Sequence, residues 1–257
     1  MTGVQTCALP ICSLVLGGSF GIALWSAEEG IVPVVASCEE RPLRVNDLVA
    51  DAHGRIYAAT AHWGENGREQ TGGVHVLDTN GTLRPVADGL SLANGMDFSP
   101  DGRHFYFADS AERVIYRAEV DANTGALRNQ RAWARMSAGE GLPDGLAVDA
   151  AGFIWSAQWY GGNVTRYDPD GRVERVLRLP VTQVASLAFG GVELRELFIT
   201  TAAETWRSAL APAGYDYEAC PPGGALYRAR LNDVQGRPEN VARLRRPAGV
   251  GSMSGRK

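Results

Sequence analysis

The chain has 257 residues with 25 basic and 29 acidic side chains, a net charge of −4 and an isoelectric point near 5.6. That balance argues against a nucleic-acid partner or an anionic membrane surface, and no apolar run approaches the ~20 residues of a membrane helix. Lys257 is the only lysine, which removes Schiff-base and P-loop chemistry, and neither H-E-x-x-H nor C-x-x-C occurs.

Residues 1–12 (MTGVQTCALPIC) lack the basic start and small-residue cleavage site of a secretory signal. They also stand outside the periodicity that begins near Leu14. They are read as a non-native segment, which leaves 13–257 as one domain. Cys7, Cys12, Cys38 and Cys220 are too few and too scattered for a disulfide framework and point to a reducing, cytoplasmic compartment. Gly17-Gly18-Ser19-Phe20-Gly21 matches G-x-S-x-G, but a nucleophile elbow needs a helix after it. Here Ile22-Ala23-Leu24-Trp25 reads as a strand, so Ser19 is a turn residue. Gly249-Val250-Gly251 is likewise not followed by a helix-length segment.

Next comes a repeat. Asn46 to Asp51, Asn94 to Phe98, Asp144 to Asp149 and Ser186 to Phe189 each open a short apolar strand. An Asp- or Gly-rich turn follows each one. A second strand rich in β-branched and aromatic residues comes after: Ile56 to Thr60, His104 to Asp109, Phe153 to Ala157, Leu197 to Thr201. Further strands run over Gly73 to Asp78, Val114 to Val120, Asn163 to Asp168 and Ala225 to Leu231, each ending in a turn that starts a hairpin return. Four strands per unit of about 40–50 residues, with no competing helical pattern, predict an all-β propeller. A partial unit covers Leu14 to Ala36.

In a propeller the innermost strand of each blade lines the axis, so repeat-equivalent residues converge there. These are Asn46, Asn94, Asp144 and Ser186. Two amides and a carboxylate suit a hard divalent cation. Asn-Gly and Asp-Gly are equally turn formers, and spacing alone leaves both readings open.

Arg44-Val45-Asn46-Asp47, Leu92-Ala93-Asn94-Gly95-Met96-Asp97 and Leu142-Pro143-Asp144-Gly145-Leu146 resemble the signature segments of the senescence-marker-protein/gluconolactonase family, which includes regucalcin. Gly161 to Pro169 and Ser186 to Gly191 extend the likeness over about residues 14–240. The resemblance implies a six-bladed propeller that binds one divalent cation (Ca, Zn, Mn or Mg) and opens a small-molecule sugar lactone. It places Asn94 and Asp144 among the metal ligands, and Arg44 and Asn46 against substrate. The family's third ligand, a glutamate in an early E-G-P-x-W segment, has no match before Arg44: Glu28-Glu29-Gly30 is followed by Ile31-Val32-Pro33. The chain is therefore read as lacking about one N-terminal blade, which bears on metal affinity and ring closure together.

Asp144 is the one carboxylate among the converging residues, so metal ligation and general-base duty both fall to it. Arg44 offers a fixed fork of donors to hydroxyls or a carboxylate, with a surface ion pair as its alternative. Two other readings stay open: a non-catalytic cation-binding propeller, or a propeller hydrolase of another ester such as an aryl ester or organophosphate. His62-Trp63-Gly64 is read as a loop over the channel, its Trp63 either stacking on a sugar or packing its own rim. Gln158-Trp159-Tyr160 carries the same two readings. His104 is read as structural and Arg243 to Arg246 as a solvated tail.

Overall fold

Apolar residues at every second position, punctuated by Asp- and Gly-rich turns, can bury one strand face only by pairing with neighbours and stacking sheet on sheet. The computed structural model describes residues 7–8, 13–64, 67–203, 207–218 and 223–244. Among these residues no helix occurs, and the strands form five sheets in chain order, a β-propeller. The first sheet comprises β1 (Cys7–Ala8), β2 (Ser13–Gly18), β3 (Gly21–Ser26) and β4 (Gly30–Val35). A short hairpin, β5 (Ser37–Cys38) and β6 (Arg41–Pro42), leads to the second sheet: β7 (Val45–Ala50), β8 (Ile56–Gly64), β9 (Gly67–Leu77) and β10 (Leu83–Leu90).

The third sheet holds β11 (Ala93–Phe98), β12 (His104–Asp109), β13 (Val114–Val120) and β14 (Leu127–Arg135). The fourth holds β15 (Leu142–Val148), β16 (Ile154–Trp159), β17 (Asn163–Tyr167) and β18 (Val173–Arg178). The fifth has three strands among the described residues, β19 (Val184–Gly190), β20 (Glu196–Thr201) and β21 (Leu226–Arg230), where the repeat leads one to expect four. Every pairing within these sheets is antiparallel.

Adjacent sheets meet through β2 and β7, β7 and β11, β11 and β15, and β15 and β19. No comparable packing joins β19 to β2 among the described residues. The core lies between sheets. Tyr57, Val76, Phe98, Phe105 and Phe107 fill the gap between the second and third, and Trp155, Val164, Leu187 and Leu197 that between the fourth and fifth. Burying each large aromatic ring contributes about 2–3 kcal/mol. Charge enters this core only in company: Asp149 accepts hydrogen bonds from Arg166 and from the Trp155 indole N–H.

Cys7–Ala8, within the segment set apart on sequence, pairs with Leu14 and Val15 as an edge strand. Two expectations change. His62-Trp63-Gly64 is no loop: it extends β8 along β9 in a long hairpin. Arg243-Leu244 is no solvated tail. The Arg243 N–H donates to the Gly54 carbonyl at 2.8 Å, and Leu244 packs on the core between the first two sheets. Arg245 and Arg246 lie outside the described residues, as do Cys12, Cys220 and Gly249 to Gly251.

That docking belongs to a larger feature. From Asn232 onward the chain runs beneath the C-terminal ends of the inner strands and crosses the sheets in reverse order. Gly236 N–H donates to Leu194 O in the fifth, Gln235 O accepts from Ala150 N–H in the fourth, and Arg237 binds Asp97 and Phe98 O in the third. Asn240 then donates to Ala50 O in the second. The opposite ends of these strands carry the candidate site.

Candidate active site

Each candidate residue sits where its strand slips register against the neighbouring strand. The β7–β8 pairing slips between Val45 and Asp47, at Asn46; β11–β12 slips between Ala93 and Met96, at Asn94; and β15–β16 slips between Pro143 and Leu146, at Asp144. The β19–β20 pairing slips between Val184 and Ser186. A bulge leaves one residue outside the ladder and re-aims its side chain. Asn46, Asn94 and Asp144 are accordingly half-buried in strands whose following residues are buried.

Glycine brings the strands close. A Cβ on Gly95 would run into the Asp144 carbonyl and the Leu146 N–H, and one on Gly145 would meet the Ser186 hydroxyl. Asn-Gly and Asp-Gly thus serve both as bulge formers and as points of close approach, so the turn and site readings do not compete.

The side chains follow. Asn46 Nδ2 donates to the Ala93 carbonyl at 3.1 Å, beside Asn94. Asn94 Nδ2 donates to Ser110 Oγ at 3.1 Å, and Gly95 beside it lies against the Asp144 backbone across the gap between the third and fourth sheets. Burial pushes the Asp144 carboxyl up to about 8, and the nearby Asn94 amide pulls the other way. No ion pair to Asp144 occurs among the described residues. A carboxyl and an amide on adjoining inner strands, with no ion pair to the carboxyl, are a donor pair that fits a hard divalent cation. Among the described residues no cluster of three or more His, Cys, Asp or Glu forms a fuller cage.

Arg44 stands apart from this trio. It is exposed at the rim, where its guanidinium meets Glu69 Oε2 at 3.0 Å. His62 lies nearby and is buried; its Nδ1 accepts from Gln70 Nε2 at 2.8 Å, and burial, reinforced by Arg44, holds its pKa below the ordinary value. The Trp63 indole donates to Ser91 O at 2.6 Å and so packs its own rim. Trp159 packs with Leu142 and Tyr160, and Tyr160 stands edge-on to Tyr215 at 4.8 Å.

Sequence reading misses Glu69, Asp109 and Ser110. Asp109 accepts the Ser91 and Leu92 N–H groups at 2.7 and 3.0 Å and so fixes the lead-in to Asn94. Ser110 receives Asn94 Nδ2 at 3.1 Å. Asp109 closes β12 and Ser110 follows it, and no motif marks either.

Comparison with known proteins places the chain in a family. The family model described as SMP-30/Gluconolactonase/LRE-like region matches residues 4–203. The chain belongs to the SMP-30/gluconolactonase family. Its relatives include the pentonolactonase XacC of Haloferax volcanii, 38% identical over 200 residues, covering 78% of this chain and 66% of that protein. The 6-deoxy-6-sulfogluconolactonase of Pseudomonas putida is 37% identical over 192 residues, covering 74% of this chain and 62% of that protein. The chain thus spans less than two thirds of either relative. Among solved structures, the calcium-binding protein regucalcin from Agrobacterium tumefaciens superimposes with a TM-score of 0.78 at 26% identity, covering 93% of this chain and 79% of that one. The propeller assignment and the family assignment agree. No helix among the described residues is long and apolar enough to cross a membrane.

Proposed function

We propose that this member of the SMP-30/gluconolactonase family is a hydrolase that opens sugar lactones at the Asn46–Asn94–Asp144 end of its channel. The observation that carries the reading is the close approach of β11 to β15 at Gly95 and Asp144, with Asn46 of β7 hydrogen-bonded to Ala93 O beside Asn94. The lactonase names of two relatives support the substrate class.

Asn94 Oδ1 and the Asp144 carboxylate would hold one divalent cation, of the Ca, Zn, Mn or Mg class. When bound, that ion polarises the lactone carbonyl as negative charge builds on its oxygen. The chain's own groups do the rest. Asp144 takes a proton from the attacking water as its oxygen bonds to the carbonyl carbon. The ring C–O bond breaks, the departing ring oxygen is protonated, and the hydroxy acid formed then ionises, releasing one proton. Asn46, held on Ala93 O, presents its remaining amide oxygen to a substrate hydroxyl, and Arg44 offers paired donors at the rim.

The finer reading is a six-bladed ring of which the five described sheets form part, with a further carboxylate ligand on the remaining blade. Among the described residues β19 and β2 do not pack as the other neighbouring inner strands do, which favours it. A cytoplasmic setting accompanies this reading; Cys38 carries a free thiol. Substrate profiling tests the class: pH-stat rates on a panel of aldonolactones should exceed those on aryl esters and phosphotriesters. A preference for either of the latter would reassign the site to another ester hydrolase, and no turnover of any would favour a non-catalytic cation-binding propeller.

A further inference from the structure

We infer that Ser110 is the positioning residue of this site: it sets the orientation of the Asn94 amide toward the proposed cation. The inference rests on the proposed cation site and names a residue outside the converging set.

Ser110 follows β12 and is 2% exposed. It reaches three points with three hydrogen bonds. Its N–H donates to Leu92 O at 2.9 Å, at the lead-in to β11. Its Oγ accepts from Asn94 Nδ2 at 3.1 Å and donates to Pro143 O at 2.6 Å, the carbonyl directly before Asp144. The hydroxyl has one proton to give, and the Pro143 carbonyl can only accept, so Oγ presents lone pairs and no proton to Asn94. That polarity decides which end of the amide faces Ser110: Nδ2 turns inward and Oδ1 is left for a cation. With the amide reversed, Nδ2 protons would face the cation and its affinity would fall.

The same turn braces the site on both sides. Asp109 holds the Ser91 and Leu92 N–H groups, and Arg113 donates to Gly141 O just ahead of β15. Ser110 is the one residue of this turn whose side chain touches a proposed ligand side chain and the backbone of the other ligand's strand.

Partners that orient a metal ligand typically change affinity by about 10–100-fold when removed. The test is calorimetric titration of Ca²⁺ and Mn²⁺ into the full chain, its Ser110→Ala, Ser110→Thr and Asn94→Ala variants, and the Ser110→Ala/Asn94→Ala double variant. Ser110→Ala should weaken cation binding about 10–100-fold, with near-UV circular dichroism unchanged. Ser110→Thr, which keeps the hydroxyl, should stay within about threefold of the parent. In the Asn94→Ala background the Ser110→Ala change should add no further loss, a coupling that a merely structural role does not produce. If Ser110→Ala does not fold, Ser110→Cys, with its weak donor and acceptor, replaces it with the same expected loss. Unchanged affinity in Ser110→Ala, or losses that add in the double variant, would overturn the positioning role while leaving the cation site standing. Absence of cation binding by the parent chain would overturn the site itself, and the inference with it.

Discussion

Gly95 in β11 lies directly against the Asp144 backbone in β15, across two separate sheets. Glycine at position 95 is what lets the strands come this close, because a Cβ there would occupy the space of the Asp144 carbonyl. Gly95→Ala should therefore push β11 and β15 apart. We expect a loss of about 1–3 kcal/mol from overpacking, read by urea denaturation, together with loss of any cation-induced rise in Tm. A Gly95→Ala protein that keeps the parent's stability and cation response would show that the close approach is incidental.

Arg44 and Glu69 form an exposed pair, with side chains 45% and 53% accessible. Such pairs contribute at most about 0.5–1 kcal/mol, so neither residue is placed there for stability. Arg44→Ala should leave Tm within a degree or two and raise KM for a lactone about tenfold or more at nearly constant kcat, the mark of lost ground-state binding. An equal fall in kcat and kcat/KM would move Arg44 from the rim to the reacting centre.

Arg237 ties the C-terminal segment to Asp97 beneath the channel. Burial pushes the Asp97 carboxyl up, and Arg237 and the Val148 and Phe98 N–H groups oppose that rise. Removing Arg237 strands a buried carboxylate, at a cost of about 3 kcal/mol near neutrality. The cost should shrink in acid, where Asp97 is neutral in the fold and the arginine has nothing to pair with. Denaturant titrations of Arg237→Ala at pH 7 and pH 4 measure both ends; a pH-independent loss would mean that the segment is held by packing alone.

Burial of the Glu239 carboxyl together with the neighbouring Asp97 charge pushes it from 4.5 up to about 7 against the pull of Arg237, although the residue as a whole is exposed. An acid raised in the fold contributes most below its unfolded value, and that stability is lost as pH climbs through the folded value. The parent should therefore lose stability between about pH 4.5 and 7 and level off above. Glu239→Gln should melt higher than the parent at pH 8 and together with it at pH 4. The reverse order at pH 8 would mean that Arg237, not Asp97, dominates at Glu239.

Much of this architecture is legible in the sequence because it is local. The alternation from Val114 to Val120 becomes β13 without adjustment, and His104 opens β12. The Asn-Gly and Asp-Gly dipeptides mark where the inner strands begin. What is not legible depends on neighbours distant in sequence. The register slips at Asn46, Asn94 and Asp144 exist only relative to the partner strand. Ser110 acquires its role only once the turn after β12 meets Pro143 in the next sheet. His62 to Gly64 reads as a loop because Gly64-Glu65-Asn66-Gly67 looks like a break, yet the hairpin continues up to it on both strands. Arg243 and Leu244 read as a tail because nothing local announces the groove beneath the second sheet.

The central claim is that Asn94 and Asp144 hold the cation with which a lactone is opened, and one assay addresses it most directly. Proton release from an aldonolactone is followed in a pH-stat with the parent chain, Asn94→Ala and Asp144→Asn, first after treatment with chelator and then with excess Ca²⁺, Zn²⁺ or Mn²⁺ restored. We expect chelator to silence the parent and at least one cation to revive it. Asn94→Ala should recover in part at high cation, and Asp144→Asn should stay about 10²–10⁴-fold down under every condition, having lost a ligand and the base together. Chelator-resistant turnover that survives Asp144→Asn would contradict the claim and place the chemistry elsewhere in the channel.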